Sequence, residues 1–289
     1  MFWLLAFFFV DIDFTSTWVT DADLVKVGQQ KDLRRLVLAH TKITDSGLEH
    51  LKNLREVREL DLYYAEHMTE DGIAQLKGWK NLERLNLRGT RVTSKVFEHL
   101  SHLANLRWLD LSYTQIDDEG FEHLSNLTKL EYLGIGGNRL TGSSLPALKL
   151  LSALRELDAG GLQRVDSGLW GLALNEANLA RIGELKQLRR LNLARATIND
   201  RGTDRPGHPE AERAELVDLS ALRGLDYLEY LDLSKQPVTP AALKTLERLP
   251  RLRELRLGLA AKIDAAALPR IPTMEKVYLN GEWIRVPRN

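Results

Sequence analysis

The stretch Leu33-Arg-Arg-Leu36-Val-Leu38-Ala-His-Thr41-Lys-Ile43-Thr44-Asp45 decides the fold, because two periods meet inside it. Leu36 and Leu38 lie on one side of an extended chain, the two-residue period of a half-buried strand. Beyond the turn, Leu48, Leu51 and Leu54 recur at the spacing of one helical face. Thr44 or Asp45 is a natural N-cap for that helix. Thr239-Pro240 repeats the signal later, with proline at the first helical position. A single unit of strand, turn, short helix and turn cannot bury its own leucines. Stacking further units on it can.

Those units are present. Leu82-Glu-Arg-Leu85-Asn-Leu87-Arg-Gly-Thr90-Arg-Val92-Thr93 and Leu106-Arg-Trp-Leu109-Asp-Leu111-Ser-Tyr-Thr114-Gln-Ile116-Asp117 carry the same wording. Leu130 to Thr141 repeats it with Asn138 in the threonine place. The second leucine falls at Leu36, Leu60, Leu85, Leu109, Leu133 and Leu157, at intervals of 24, 25, 24, 24 and 24. Ile12 lies 24 residues before Leu36, and Leu191, Leu231, Leu255 and Val277 continue the series, so about eleven coils are expected. The L-x-x-L-x-L-x-x-T/N wording resembles the leucine-rich-repeat family over nearly the whole chain. The T-x-I-T-D-x-G-L variant resembles the Thr-rich repeats of bacterial proteins of planctomycete and acidobacterial type, in the repeat class of about 24 to 26 residues that is related to the cysteine-containing repeats. The implied fold is an α/β horseshoe solenoid, with a parallel sheet on the concave face and short helices on the convex face. The family resemblance also implies a binding module.

One domain spanning 1–289 is expected, with residues 1–30 as an irregular first coil and 274–289 as a C-terminal cap. Thr17, Thr41, Thr90, Thr114, Asn138 and Thr197 sit where the chain leaves the strand, and their short polar side chains suit backbone groups that would otherwise be buried unpaired. The period breaks twice. One coil takes 34 residues from Leu154 to Leu188 and the next takes 40 to Leu228. The first excess, 169–185, reads as a convex helix capped by Asn175. The second, 200–215, reads as a charged loop with two prolines and two glycines.

Several functions are disfavoured. Forty basic residues balance forty acidic ones, so nothing predicts nucleic acid or an anionic membrane as a partner. The absence of cysteine removes disulfides, thiolate metal sites and cysteine nucleophiles, but leaves the compartment, cytoplasmic or periplasmic, open. Met1–Val10, MFWLLAFFFV, is too short to span a bilayer and lacks a basic leader region or a small-residue cleavage site. It reads as containing the first strand of the solenoid. There is no nucleophile elbow, no H-E-x-x-H and no phosphate loop, so a non-enzymatic protein without cofactor is expected. His50, His99 and His123 share one helical position, but neighbouring helices would hold them too far apart to share a metal.

By alternation, the third, fifth and seventh residues of each unit face outward from the concave sheet. Read in columns, they gather Tyr63, Tyr64, Arg84, Arg88, Trp108, Tyr113 and Tyr132 into an aromatic–arginine patch. Tyrosine, tryptophan and arginine are the residues enriched at interface hot spots. Gly134, Gly136, Gly137, Gly160 and Gly161 follow as a smooth floor beside the patch, or as relief of crowding at turns. The fifth-position stripe, Asp13, Asp61, Asn86, Asp110, Asp158, Asn192 and Asp232, reads as repeat wording more than as a cation site. The expected function is therefore concave-face binding of a protein or peptide. A structural part in a larger bacterial assembly or polypeptide is the alternative, and glycan binding at the aromatics ranks below both.

Overall fold

The computed structural model describes residues 10–165, 168–196, 218–258, 263 and 265–285. The strands are β1 (Val10–Asp13), β2 (Leu33–Val37), β3 (Glu59–Asp61), β4 (Arg84–Asn86), β5 (Trp108–Asp110), β6 (Tyr132–Gly134), β7 (Glu156–Asp158), β8 (Gln163–Val165), β9 (Gly168–Trp170), β10 (Arg190–Asn192), β11 (Tyr230–Asp232), β12 (Glu254–Gly258), β13 (Lys276–Leu279) and β14 (Glu282–Arg285). Twelve of them form one open sheet in the order β1 to β7, then β10 to β14. Neighbours from β1 through β13 are parallel, and β14 folds back antiparallel on β13. Eleven parallel strands thus stack one per coil, in a register that pairs Leu60, Leu85, Leu109, Leu133 and Leu157 across adjacent strands. Each of those five leucines is fully buried, and the core runs unbroken along the stack. The chain is an α/β leucine-rich-repeat solenoid.

The return segments are short. The α-helices are α1 (Asp21–Val27), α2 (Asp45–Glu49), α3 (Glu70–Ala74), α4 (Val96–Leu100), α5 (Glu176–Gly183) and α6 (Pro240–Thr245), and other coils use 3-10 turns. Thr44 is the N-cap of α2, its hydroxyl accepting from the Ser46 amide. Asp45 serves the next coil instead: its carboxylate accepts the Thr69 amide at 2.9 Å and hydroxyl at 2.7 Å. Asp21 does the same for Thr44, and Glu70 for Thr93. At Thr44-Asp45 and Thr69-Glu70 the threonine caps its own helix and the carboxylate clamps the following coil.

The threonine ladder is visible in its bonds. The hydroxyls of Thr17, Thr41, Thr90 and Thr114 donate to the carbonyls three residues back at 2.6–2.8 Å. Asn138 does more: its amide donates to the Leu111 and Ile135 carbonyls, and its oxygen accepts the Thr114 amide. Thr197 lies outside the described residues, and the register puts Ala196 in its coil's ladder position. Gln236 of the following coil supplies the missing donor, to the carbonyls of Leu193 and Ala196.

The 34-residue coil holds more than a helix. β8 and β9 form an antiparallel hairpin before α5 begins. The Asn175 side chain caps α5 by accepting the Asn178 amide at 2.8 Å. The 200–215 loop lies outside the described residues. Among the described residues, no helix is long and apolar enough to cross a membrane.

Candidate functional site

The fifth-position stripe has a backbone role. The side-chain oxygens of Asp61, Asn86, Asp110, Asp158, Asn192 and Asp232 each accept the amide two residues on, at 2.8–3.1 Å. Each closes an Asx turn where the strand ends. The stripe is occupied in shaping the rim, and among the described residues no group of three or more His, Asp or Glu could hold a metal ion.

Past that turn, the eighth residue of every unit from the first coil to the ninth has positive φ: Ser16, His40, Tyr64, Gly89, Tyr113, Gly137, Gly161, Arg195 and Lys235. Here the left-handed conformation that favours glycine is adopted by tyrosine twice. Each tyrosine ring lies on the glycine of the next coil. A Cβ on Gly89 would come within 2.8 Å of the Tyr64 ring, and one on Gly137 within 2.9 Å of the Tyr113 ring. The Tyr113 hydroxyl reaches Gly161 as well. The glycines are consequently not an open floor. Gly136 is closed off by the Gly160 carbonyl and Gly134 by the Asp110 carboxylate, and all five are buried.

The seven patch residues fall into three groups. Arg84, Trp108 and Tyr132 share the third position of the repeat unit, as the first residues of β4, β5 and β6. The Trp108 and Tyr132 rings stack at 4.7 Å with planes 7° apart, and the Arg84 guanidinium carbon sits 3.6 Å from the indole centroid. Arg88 lies over the Tyr113 ring at 4.6 Å and pairs with Asp110 at 3.8 Å. Tyr63 and Tyr64 meet edge to face at 4.8 Å, with His40 packed against both. The exposed Arg84 and six half-buried partners form layers of cation and ring. Val37 and Ala39, read as outward-facing, are buried at 3% and 6% exposure. A short side chain flanked by longer ones a strand spacing away keeps little water contact.

Burial sets the protonation of this face. It pushes the Tyr132 phenol far above its usual range, with Asp110 and Asp158 adding to the effect. Burial likewise raises Asp158 to about 6, helped by Asp110 and opposed by the Gly160 amide, the Asn192 amide and Arg88.

Two features escaped the sequence reading. The aromatic–cation layering recurs beyond the insertions, with Arg190 over Tyr230 at 4.0 Å and Arg256 near Tyr278 and Trp283 at 5.4 and 5.1 Å. The insertions break the 24-residue step, so these residues drop out of columns drawn on a fixed period. The second feature is charge alternation between coils: Arg58–Glu83, Arg107–Glu131 and Arg189–Glu229 pair at the second position, and Arg35–Glu59 and Arg190–Glu156 at the third. Opposite charges one repeat apart in the sequence would have revealed it. A groove of about 430 Å³ runs along these two columns, bordered by Arg84, Trp108, Tyr132 and Arg155 among others.

An open stack of parallel strands carrying layered rings and guanidinia is a repeat-solenoid scaffold. A family model described as Leucine Rich repeat matches residues 29–52 and 102–125, one coil each. An internalin from Listeria monocytogenes is similar in structure, with a TM-score of 0.59 at 19% identity over 91% of this chain and 72% of that one. A leucine-rich-repeat protein from Leptospira interrogans gives 0.53 at 20% identity, over 81% of this chain and 57% of that one, so this chain spans little more than half its length. No curated protein matches the sequence. At those identities the likeness concerns the fold alone: the chain has the leucine-rich-repeat fold.

Proposed function

We propose that this chain is a non-enzymatic interaction module that grips a protein or peptide on its concave strand face. The observation that carries the reading is the layered column Arg84–Trp108–Tyr132, parallel rings capped by a guanidinium and bordering a groove. Such a column offers rigid apolar area with a charged edge, at low cost in side-chain entropy, because stacking already fixes the rotamers. Tyr63, Tyr64, Arg88 and Tyr113 extend the same surface toward the rim. The test is partner retention by the wild-type chain against a Tyr63→Ala, Trp108→Ala variant of equal fold. A structural part in a larger assembly would depend instead on the ends of the sheet, where Trp283 on β14 is 42% exposed.

A further inference from the structure

We infer that the groove between the fourth and ninth coils selects a partner segment bearing carboxylate side chains, with Arg155 as its principal contact. This rests on the concave-face reading above and names the chemistry of that partner.

The second-position column opens with two adjacent arginines, Arg34 and Arg58, and from Arg58 on it alternates arginine and glutamate: Arg58, Glu83, Arg107, Glu131, Arg155, then Arg189, Glu229, Arg253 and Glu275. The alternation slips once, where Arg155 and Arg189 occupy adjacent coils across β7 and β10. The Arg189 and Arg190 amides both donate to the Arg155 carbonyl, at 2.8 and 3.0 Å, so the two arginines start about one strand spacing apart. Arg107 is taken by Glu131 at 2.6 Å, Arg189 by Glu229 at 3.4 Å and Arg190 by Glu156 at 3.4 Å. Each groove glutamate thereby has its arginine.

Arg155 is left over. Among the described residues its guanidinium meets only the carbonyls of Ser152 and Leu154, at 3.0 and 3.2 Å, both through Nη1. The Nε–H and both Nη2 N–H donors, three of its five, remain for a ligand. The groove lining holds five arginines and three glutamates, a local excess of two positive charges in a chain whose net charge is zero. A carboxylate presented between Arg155 and Arg189 would meet forked donors from two coils, the geometry that guanidinium recognises best. An adjacent apolar portion of the same segment would lie against the Trp108–Tyr132 stack. The slip in the ladder thus supplies charge selection beside the aromatic column that supplies contact area.

The test uses the purified full chain with labelled hexaglutamate, hexalysine and hexathymidylate, read by fluorescence anisotropy at low salt. Hexaglutamate is expected to bind and hexalysine is not. Arg155→Glu should weaken hexaglutamate by about tenfold or more, with the circular dichroism spectrum unchanged. Arg58→Glu makes the same charge change outside the groove, at an arginine already paired with Glu83, and should change binding by less than about twofold. The inference is overturned if hexaglutamate does not bind, if the two variants weaken it equally, or if hexathymidylate binds as tightly as hexaglutamate. If hexaglutamate fails while Trp108-dependent partner retention persists, the carboxylate preference falls and the concave-face module stands.

Discussion

The Trp108 indole and the Tyr132 phenol ring lie 4.7 Å apart and within 7° of parallel, on adjacent strands at the same register position. Both sit one residue before a fully buried leucine, Leu109 and Leu133, so one residue step separates contact surface from core. Trp108→Ala should therefore lower affinity for a partner while changing stability by about 1 kcal/mol, the scale of one lost aromatic pair. Leu109→Ala removes core volume and should cost about 2–5 kcal/mol. Urea unfolding of both variants checks this. Similar losses in the two would mean that Trp108 is chiefly structural.

Tyr64 and Gly89 are coupled through the left-handed rim. Gly89 has φ +74° and its missing Cβ would press on the Tyr64 ring. Gly89→Ala is expected to cost about 1–3 kcal/mol, from backbone strain together with that contact. In a Tyr64→Ala background the contact part should vanish, leaving a smaller penalty. A double-mutant cycle reads the coupling directly. Full additivity would mean that the ring does not rest on the glycine.

Asn138 carries bonds that no other ladder residue matches. It is completely buried and serves the Thr114 amide and two carbonyls. Asn138→Leu should cost roughly 2–4 kcal/mol by stranding those groups. Asn138→Thr should cost less, because a threonine hydroxyl satisfies the carbonyl three residues back in the coils of Thr90 and Thr114. Thermal unfolding ranks the two. A threonine variant as unstable as the leucine one would contradict the ladder role.

Asp158 gives the fold a pH dependence. Its folded pKa, about 6, lies above the ordinary 3.8, so between those values the folded state keeps a proton that the unfolded chain has released. The stability linked to that proton is fully present below about pH 3.8 and is lost as pH rises through about 6. At about 1.4 kcal/mol per pH unit the loss is on the order of 2–3 kcal/mol. Asp158→Asn keeps an oxygen for the Gly160 amide and removes the charge, so it should be more stable than wild type at pH 7.5 and nearly equal at pH 4. Urea melts at the two pH values decide. A stability difference independent of pH would exclude burial of the charged carboxylate as its cause.

The architecture was legible because its signals repeat. Leu60, Leu85, Leu109, Leu133 and Leu157 stand 24 or 25 residues apart and pair on adjacent strands. A cap at Thr44 or Asp45 was readable, and Thr44 takes it; the clamp that Asp45 makes was not readable, since its partner Thr69 belongs to the next coil. The hairpin of β8 and β9 left no signal, because QRV and GLW are too short to show a period. The patch was readable as columns, yet alternation alone could not show that Tyr64 and Tyr113 leave the strand and lie over Gly89 and Gly137. Nor could it show that Val37 and Ala39 are shaded by their neighbours. Depth within a column depends on side-chain length in the flanking coils, which a single repeat does not carry.

The central claim, binding on the concave face, is tested most directly by comparing partner retention from native lysate by three chains of equal circular dichroism: wild type, Tyr63→Ala with Trp108→Ala, and Trp18→Ala. Trp18 is the control because its side chain is 86% exposed and lies off the strand columns, at the turn before α1. A protein retained by wild type and by Trp18→Ala but lost from the double variant is the expected result. Retention unchanged in the double variant, or lost through Trp18→Ala, would contradict it.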